Sequence, residues 1–212
     1  MSKLTTKIIN VLNNEKIADS GKLANIRKLV EEAVCLEPVK ATKKDKRLSV
    51  IKAILKSAQK MAKAYRQSWL GKEYEMLSHV LSRASKEFQY VTDTHLLIKF
   101  KDTPVPESLI ADNDMYEKAA NLGNRVNNMG KVVQVKYEDI VHACKLKKPY
   151  MVVDTENGIA YNPVELKRIC DFFKLNVLKM RLSTNTSPRP AEWTFENGEG
   201  FIVSPLINPV KE

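Results

Sequence analysis

At 212 residues the chain is long enough to bury a core as one medium domain or two small ones. Its 35 Lys and Arg against 25 Asp and Glu leave a formal charge of +10, which favours polyanionic partners because cationic side chains displace counterions condensed on a phosphate backbone. Hydrophobic residues make up 43%, as in an ordinary soluble protein, and no run approaches the ~20 apolar residues of a membrane helix.

Residues 1–14 lack the apolar run of a signal peptide, so a soluble, cytoplasmic protein with no membrane partner is expected. The cysteines, Cys35, Cys144 and Cys170, are odd in number and lack CxxC spacing, so no zinc site is implied and a reducing compartment fits better than a disulfide framework. Cys144 and Cys170 fall in apolar helical patterns and read as buried thiols.

In chain order, a short helix with Ile8, Ile9 and Leu12 inward comes first. Ser20 can cap a second helix, whose face carries Leu23, Ile26, Leu29, Val30, Ala33 and Val34 and which Pro38 stops. Residues 37–47 read as a lysine-rich linker. A longer helix over 48–69 follows, with Ile51, Ile54, Leu55, Ala58, Met61, Ala62 and Tyr65 inward. Lys52, Lys56, Lys60, Lys63 and Arg66 step by four, four, three and three along one face, with no carboxylate among them. Such a stripe can track a phosphate backbone, and it can equally be a solvated face.

From residue 76 the pattern changes. Residues 88–100 are rich in β-formers, 101–106 break the run, and 112–128 are polar with helix potential. Strand and helix then alternate: a strand over 132–136, a helix over 138–147, a strand over 150–154 and a turn at Asn157-Gly158. A strand over 159–161 leads to Asn162-Pro163, a strong helix start, and to a helix carrying Val164, Leu166, Ile169, Cys170 and Phe173. A strand over 176–183 and a loop over 187–190 follow. Residues 191–196 and 200–206 form a hairpin through Asn197-Gly198, with Trp193 and Phe195 as core. Ile140, Ala143 and Cys144 match Leu166, Ile169 and Cys170 at a constant offset, so the strand-helix-strand unit is doubled. The fold class is α+β.

No constellation carries catalysis. Asp93 and His95, two apart on a strand, share a face, but no third metal ligand is near. His142 and Cys144 on a helix point apart. GxSxG, Walker, GxGxxG and HExxH patterns are absent. Glu138, Asp139 and Glu165 sit in first turns of helices, where the macrodipole is reason enough for them. The expectation is a non-enzyme with no catalytic residue, metal or cofactor.

Three segments carry a resemblance. YVTDTHLLI, residues 90–98, resembles the TDGHRL-type strand of the bacterial DNA polymerase III β sliding clamp. IAYNPVELKRICDFF, residues 159–173, resembles the clamp's FN-x-x-Y-L helix opening, and GFIVSPL, residues 200–206, its C-terminal MPM strand. The order is right, and NGEG at 197–200 brings the set nearest to short clamp-like proteins of phages of Gram-positive bacteria. The resemblance covers residues 76–207. It implies a DNA-clamp-like domain over 73–212, with antiparallel sheet and two packed helices, while the helical basic region over 1–72, read from periodicity and charge, has no counterpart in the family.

In the clamp, the two strands meet at a hydrophobic pocket that receives short peptide motifs. Carried over, the pocket residues are Thr92, Thr94, His95 and Leu97 from the first strand, and Ile202, Ser204, Pro205 and Leu206 from the last. Thr94 stands for the family's Gly, Leu96 for Arg and Ser204 for Met, which makes the pocket narrower or differently polar. The resemblance implies a replication or transcription accessory factor whose partners are DNA and either DNA or RNA polymerase subunits or other replication proteins. The chain is shorter than the three-domain clamp subunit, so a ring would need further copies, as a homo-oligomer, and a monomeric clamp-like binder stands equally beside it. Two alternatives stand beside it: a basic DNA-binding regulatory protein, and a phage-encoded binder of a host polymerase.

Overall fold

The computed structural model describes residues 46–65, 70–84, 86–112, 114–124, 130–182 and 190–206. The helices expected before residue 46, and Arg66 and Trp69, lie outside them. The chain divides into two compact units, Met1–Asp45 and Lys46–Glu212. The long helix falls in the second unit, and the reason is physical. Helix α1, Lys46–Ala64, buries Val50, Ile51, Ile54, Leu55 and Ala58, and an apolar stripe of that width needs a sheet to cover. The sheet is supplied by residues that follow.

Helix α2, Leu70–Met76, packs back on α1. Tyr65, expected inward, is 44% exposed and stacks on Tyr74 at 5.3 Å. Strand β1, Val80–Leu81, comes next. The β-rich run over 88–100 is two strands, β2 Gln89–Thr92 and β3 Leu96–Phe100, joined by a tight turn. A short 3₁₀ turn precedes β4, Ile110–Ala111, and helix α3 spans Met115–Gly123. Strand β5, Val132–Lys136, runs straight into α4, Tyr137–Lys145. Strands β6, Met151–Asp154, and β7, Ile159–Tyr161, form a separate hairpin. Helix α5, Pro163–Phe173, leads to β8, Val177–Arg181, then β9, Ala191–Thr194, and β10, Gly200–Val203.

Eight strands make one mixed sheet in the order β4-β1-β2-β3-β10-β9-β8-β5. Among the described strands, only the β1–β4 pair is parallel. The fold is α+β, and helices α4 and α5 pack together. The doubled unit is visible in the pairing: β5 joins β8 and β6 joins β7, so each unit's first strand pairs with the other's last.

Strand β3 explains why its sequence reads as a continuous apolar run. Leu96, Ile98 and Phe100 enter the main core, with Val91 and Phe201, under the helices. Leu97 faces the opposite side, in a second cluster with Leu77, Leu81, Tyr90, Tyr116 and Ala119. A strand buried on both faces loses the alternation of a half-buried one.

Two local signals act as expected. The Asn162 side chain accepts a hydrogen bond from the Val164 N–H at 2.9 Å with Pro163 behind it, and Gly198 turns the β9–β10 hairpin at φ 81°. Asn162→Ala should therefore cost about 1 kcal/mol in chemical denaturation, the usual cost of losing a cap, with no change of denaturant slope.

Candidate functional site

The turn between β2 and β3 is built around Asp93. Its Oδ1 accepts the N–H of His95 at 3.3 Å and of Leu96 at 3.0 Å. The Thr92 hydroxyl accepts the Thr94 N–H at 3.0 Å. These bonds hold Thr94 at φ 73°, in the left-handed region, where a β-branched side chain is strained. Asp93 and His95 thus lie in a turn rather than on a strand, and Asp93 is spent on backbone and on Arg168. Arg168 Nη1 donates to Asp93 Oδ2 at 3.2 Å, and its Nη2 donates to Ser57 Oγ of α1 at 3.1 Å. Among the described residues no group of three or more His, Cys, Asp or Glu could hold a metal ion.

Strand β10 lies directly beside β3, with Ile202 opposite Leu97 and Val203 opposite Leu96. The Ser204 N–H donates to the His95 carbonyl at 2.7 Å, which ties the end of β10 to the turn. On the face away from α1 and α5, this pair of strands floors a groove of about 240 Å³. Six of the eight residues expected to form a pocket line it: Thr92, Thr94, His95, Leu97, Ile202 and Ser204. Pro205 and Leu206 do not, because the chain leaves the sheet after Val203 and the Leu206 N–H turns to the Ala160 carbonyl of β7 at 2.9 Å.

The second wall carried no sequence signal. Leu77 and Leu81 close the base, while Met115, Ala119 and Leu122 of α3 form the side. These residues reach the groove only through tertiary packing. Leu122 is 40% exposed. Lys118, on the rim of the same helix, pairs with Glu73 of α2 at 3.8 Å. The result is an apolar trough with hydroxyls and an imidazole along one lip, suited to a few aliphatic side chains of an extended segment.

Helices α1, α5 and α4 share the other face of the sheet, with α5 packed on both neighbours. Lys52, Lys56, Lys60 and Lys63 are all exposed, and none has an ion-pair partner among the described residues. Arg66, the fifth member of the stripe, lies outside the described residues. Sequence reading missed a second cationic feature. Lys145, Lys147 and Lys148 are exposed at the end of α4, where Lys147 takes φ 52° and the Lys148 N–H returns to the Ala143 carbonyl at 3.1 Å. This return bond fixes the backbone of the cap that carries these lysines.

Glu165 departs from expectation. It stands in the first turn of α5, yet it is buried at 8% exposure, and burial, with the Asp93 charge beside it, pushes its carboxyl up to about 7. The Arg168 guanidinium opposes the shift. Cys170 is buried and Cys144 only half-buried, and burial raises both thiols, that of Cys170 to about 12, which marks neither as a nucleophile. Among the described residues no helix is long and apolar enough to cross a membrane. No protein-family model, curated protein or solved structure matches the chain.

Proposed function

We propose that the protein is a DNA-clamp-like accessory factor of replication or transcription, taking segments of protein clients into the β3–β10 groove and touching DNA through the basic helical face. One observation carries this reading: Leu97 and Ile202, more than a hundred residues apart in sequence, sit opposite each other and line one apolar groove. An open apolar trough offers what a short apolar motif needs, side-chain anchors; its floor strands β3 and β10 are each paired on both edges, so the contact is through side chains. The four exposed lysines of α1, without an ion-pair partner among the described residues, and the capped cluster at Lys145, Lys147 and Lys148 support the DNA contact.

The decisive experiment measures binding of purified DNA and RNA polymerase subunits to the wild-type chain, Leu122→Asp and Leu97→Ala. Leu122 is exposed enough for a charge to leave the fold intact. Both variants should lose more than about tenfold in affinity, as expected when an anchor pocket is spoiled. Retained binding in both would remove the groove from the mechanism.

The second reading, a basic DNA-binding regulator, is favoured by the same lysines taken alone. Replacing Lys52, Lys56, Lys60 and Lys63 with Ser should flatten the salt dependence of DNA affinity by roughly 3 to 4 in the log–log slope. A factor that encircles DNA is retained on closed circles and lost from linear ends, whereas a simple binder holds both alike.

A further inference from the structure

Arg168 pairs with one carboxylate and lies within electrostatic reach of a second. Asp93 reaches it from the β2–β3 turn at 3.2 Å, and Glu165 acts on it from one turn earlier on α5. Ser57 of α1 takes the other end of the guanidinium. Asp93 and Arg168 are the charges that act on Glu165, and no hydrogen bond to its carboxylate exists among the described residues. With Glu165 neutral, the buried charges balance, Asp93 against Arg168. With Glu165 ionised, two carboxylates contend for one cation in a poorly solvated place, and each weakens the other's hold.

The Asp93 side chain is the hub of the groove's lip. It fixes the amides of His95 and Leu96 and holds Thr94, a lining residue, in a conformation a β-branched side chain avoids. A strained turn persists only while its surroundings over-determine it. Drawing the guanidinium away from Oδ2 removes the bond that anchors the turn to the helical layer.

We infer that Arg168 is a latch on the groove's lip, given to Asp93 while Glu165 is protonated and shared with Glu165 once that carboxyl ionises, so that the protonation state of Glu165 sets the lip's shape. The latch takes its purpose from the client-groove reading, while its geometry is independent of that reading. Its consequence is regulation: the same groove presents Thr94 and His95 in one fixed pose in mild acid and in a looser one in mild alkali.

The test needs no client. Amide and carboxyl NMR spectra of the full chain are recorded from about pH 5.5 to about pH 8.5, a range that spans the midpoint expected for Glu165. In the wild type the amides of Thr94, His95 and Leu96 should shift together with the Glu165 carboxyl carbon, on one midpoint near 7. His95→Gln removes the ionisable side chain on the lip itself and should keep the transition. In the His95→Gln background, Glu165→Gln should abolish it and leave the lip amides at their low-pH positions. Glu165→Met, which needs no hydrogen-bond partner, should give the same flat profile. The latch is refuted by lip amides that stay flat in the wild type while the Glu165 carboxyl titrates. It is refuted equally by an unchanged transition in the Glu165 variants. A wild type that binds no polymerase subunit but titrates normally would refute the client reading alone, and a flat titration with intact binding would refute the latch alone.

Discussion

Glu199→Ala should cost about 3 kcal/mol of stability, as expected for breaking a largely buried ion pair. Glu199 is 3% exposed at the turn before β10. Its carboxylate accepts both arms of the Arg47 guanidinium, at 2.9 and 3.0 Å, the Lys101 N–H at 3.0 Å, and the Asn197 amide at 2.9 Å. Arg47 begins α1 and lies over the Phe172 ring at 4.9 Å, so one carboxylate joins the start of that helix to the end of β3 and to the β9–β10 turn. Truncation strips the guanidinium of this partner and leaves the Lys101 amide facing a void. The partial exposure of Arg47, at 26% of its side chain, keeps the cost at the low end of the range for buried pairs. Urea titration should show a lower midpoint with an unchanged slope. The pH arm has a definite sign. Burial alone would raise the Glu199 carboxyl, but the hydrogen bonds from Arg47, Lys101 and Asn197 outweigh it and hold the group below the usual range. A depressed carboxyl stabilises above the unfolded value and loses its contribution as pH falls through the folded one. The gap between wild type and Glu199→Ala should therefore narrow in acid, and a gap that widens there would contradict the pairing.

How far the fold could be read from sequence depended on the range of the signal. Asn162-Pro163 and Asn197-Gly198 are complete instructions within a few residues, and both elements stand where those residues put them. The matched positions Ile140 and Leu166, Ala143 and Ile169, announced the doubled unit, because the two helices must bury equivalent faces. The β2–β3 turn was not legible, since no glycine marks it: Thr94 takes the left-handed conformation only under the hydrogen bonds of Asp93 and Thr92. The floor of the groove could be anticipated from two segments resembling those of a known family, but its α3 wall could not. Met115, Ala119 and Leu122 are an ordinary helical stripe until the sheet they cover is in place. Glu165 misled for the opposite reason. A carboxylate in a helix's first turn has a sufficient local explanation, and that explanation hides its burial against Asp93.

Glu165→Gln should make the protein more stable at pH 8, by on the order of 3 kcal/mol, while leaving it nearly unchanged at pH 5. The folded carboxyl sits at about 7 against an ordinary value of 4.5, raised by burial and then by Asp93. Between those values the native state holds a proton that the unfolded state has released. Stability therefore declines as pH rises through that window, and the full penalty is present above it. Glutamine carries no charge to desolvate, so its stability curve lacks the decline, and the two curves part as pH rises. The trend is opposite to that of Glu199, whose contribution fades in acid, so the wild type should be most stable between the two transitions, in mildly acidic solution. Thermal or urea unfolding at half-unit steps of pH reads both limbs in one series. A wild-type curve that climbs from pH 5 to pH 8, with Glu165→Gln running parallel to it, would mean that Glu165 is solvated and ionised throughout. The expected decline instead marks a cost that an apolar residue at position 165 would avoid, and the groove lip beside it is the part of the fold that the retained carboxylate can reach.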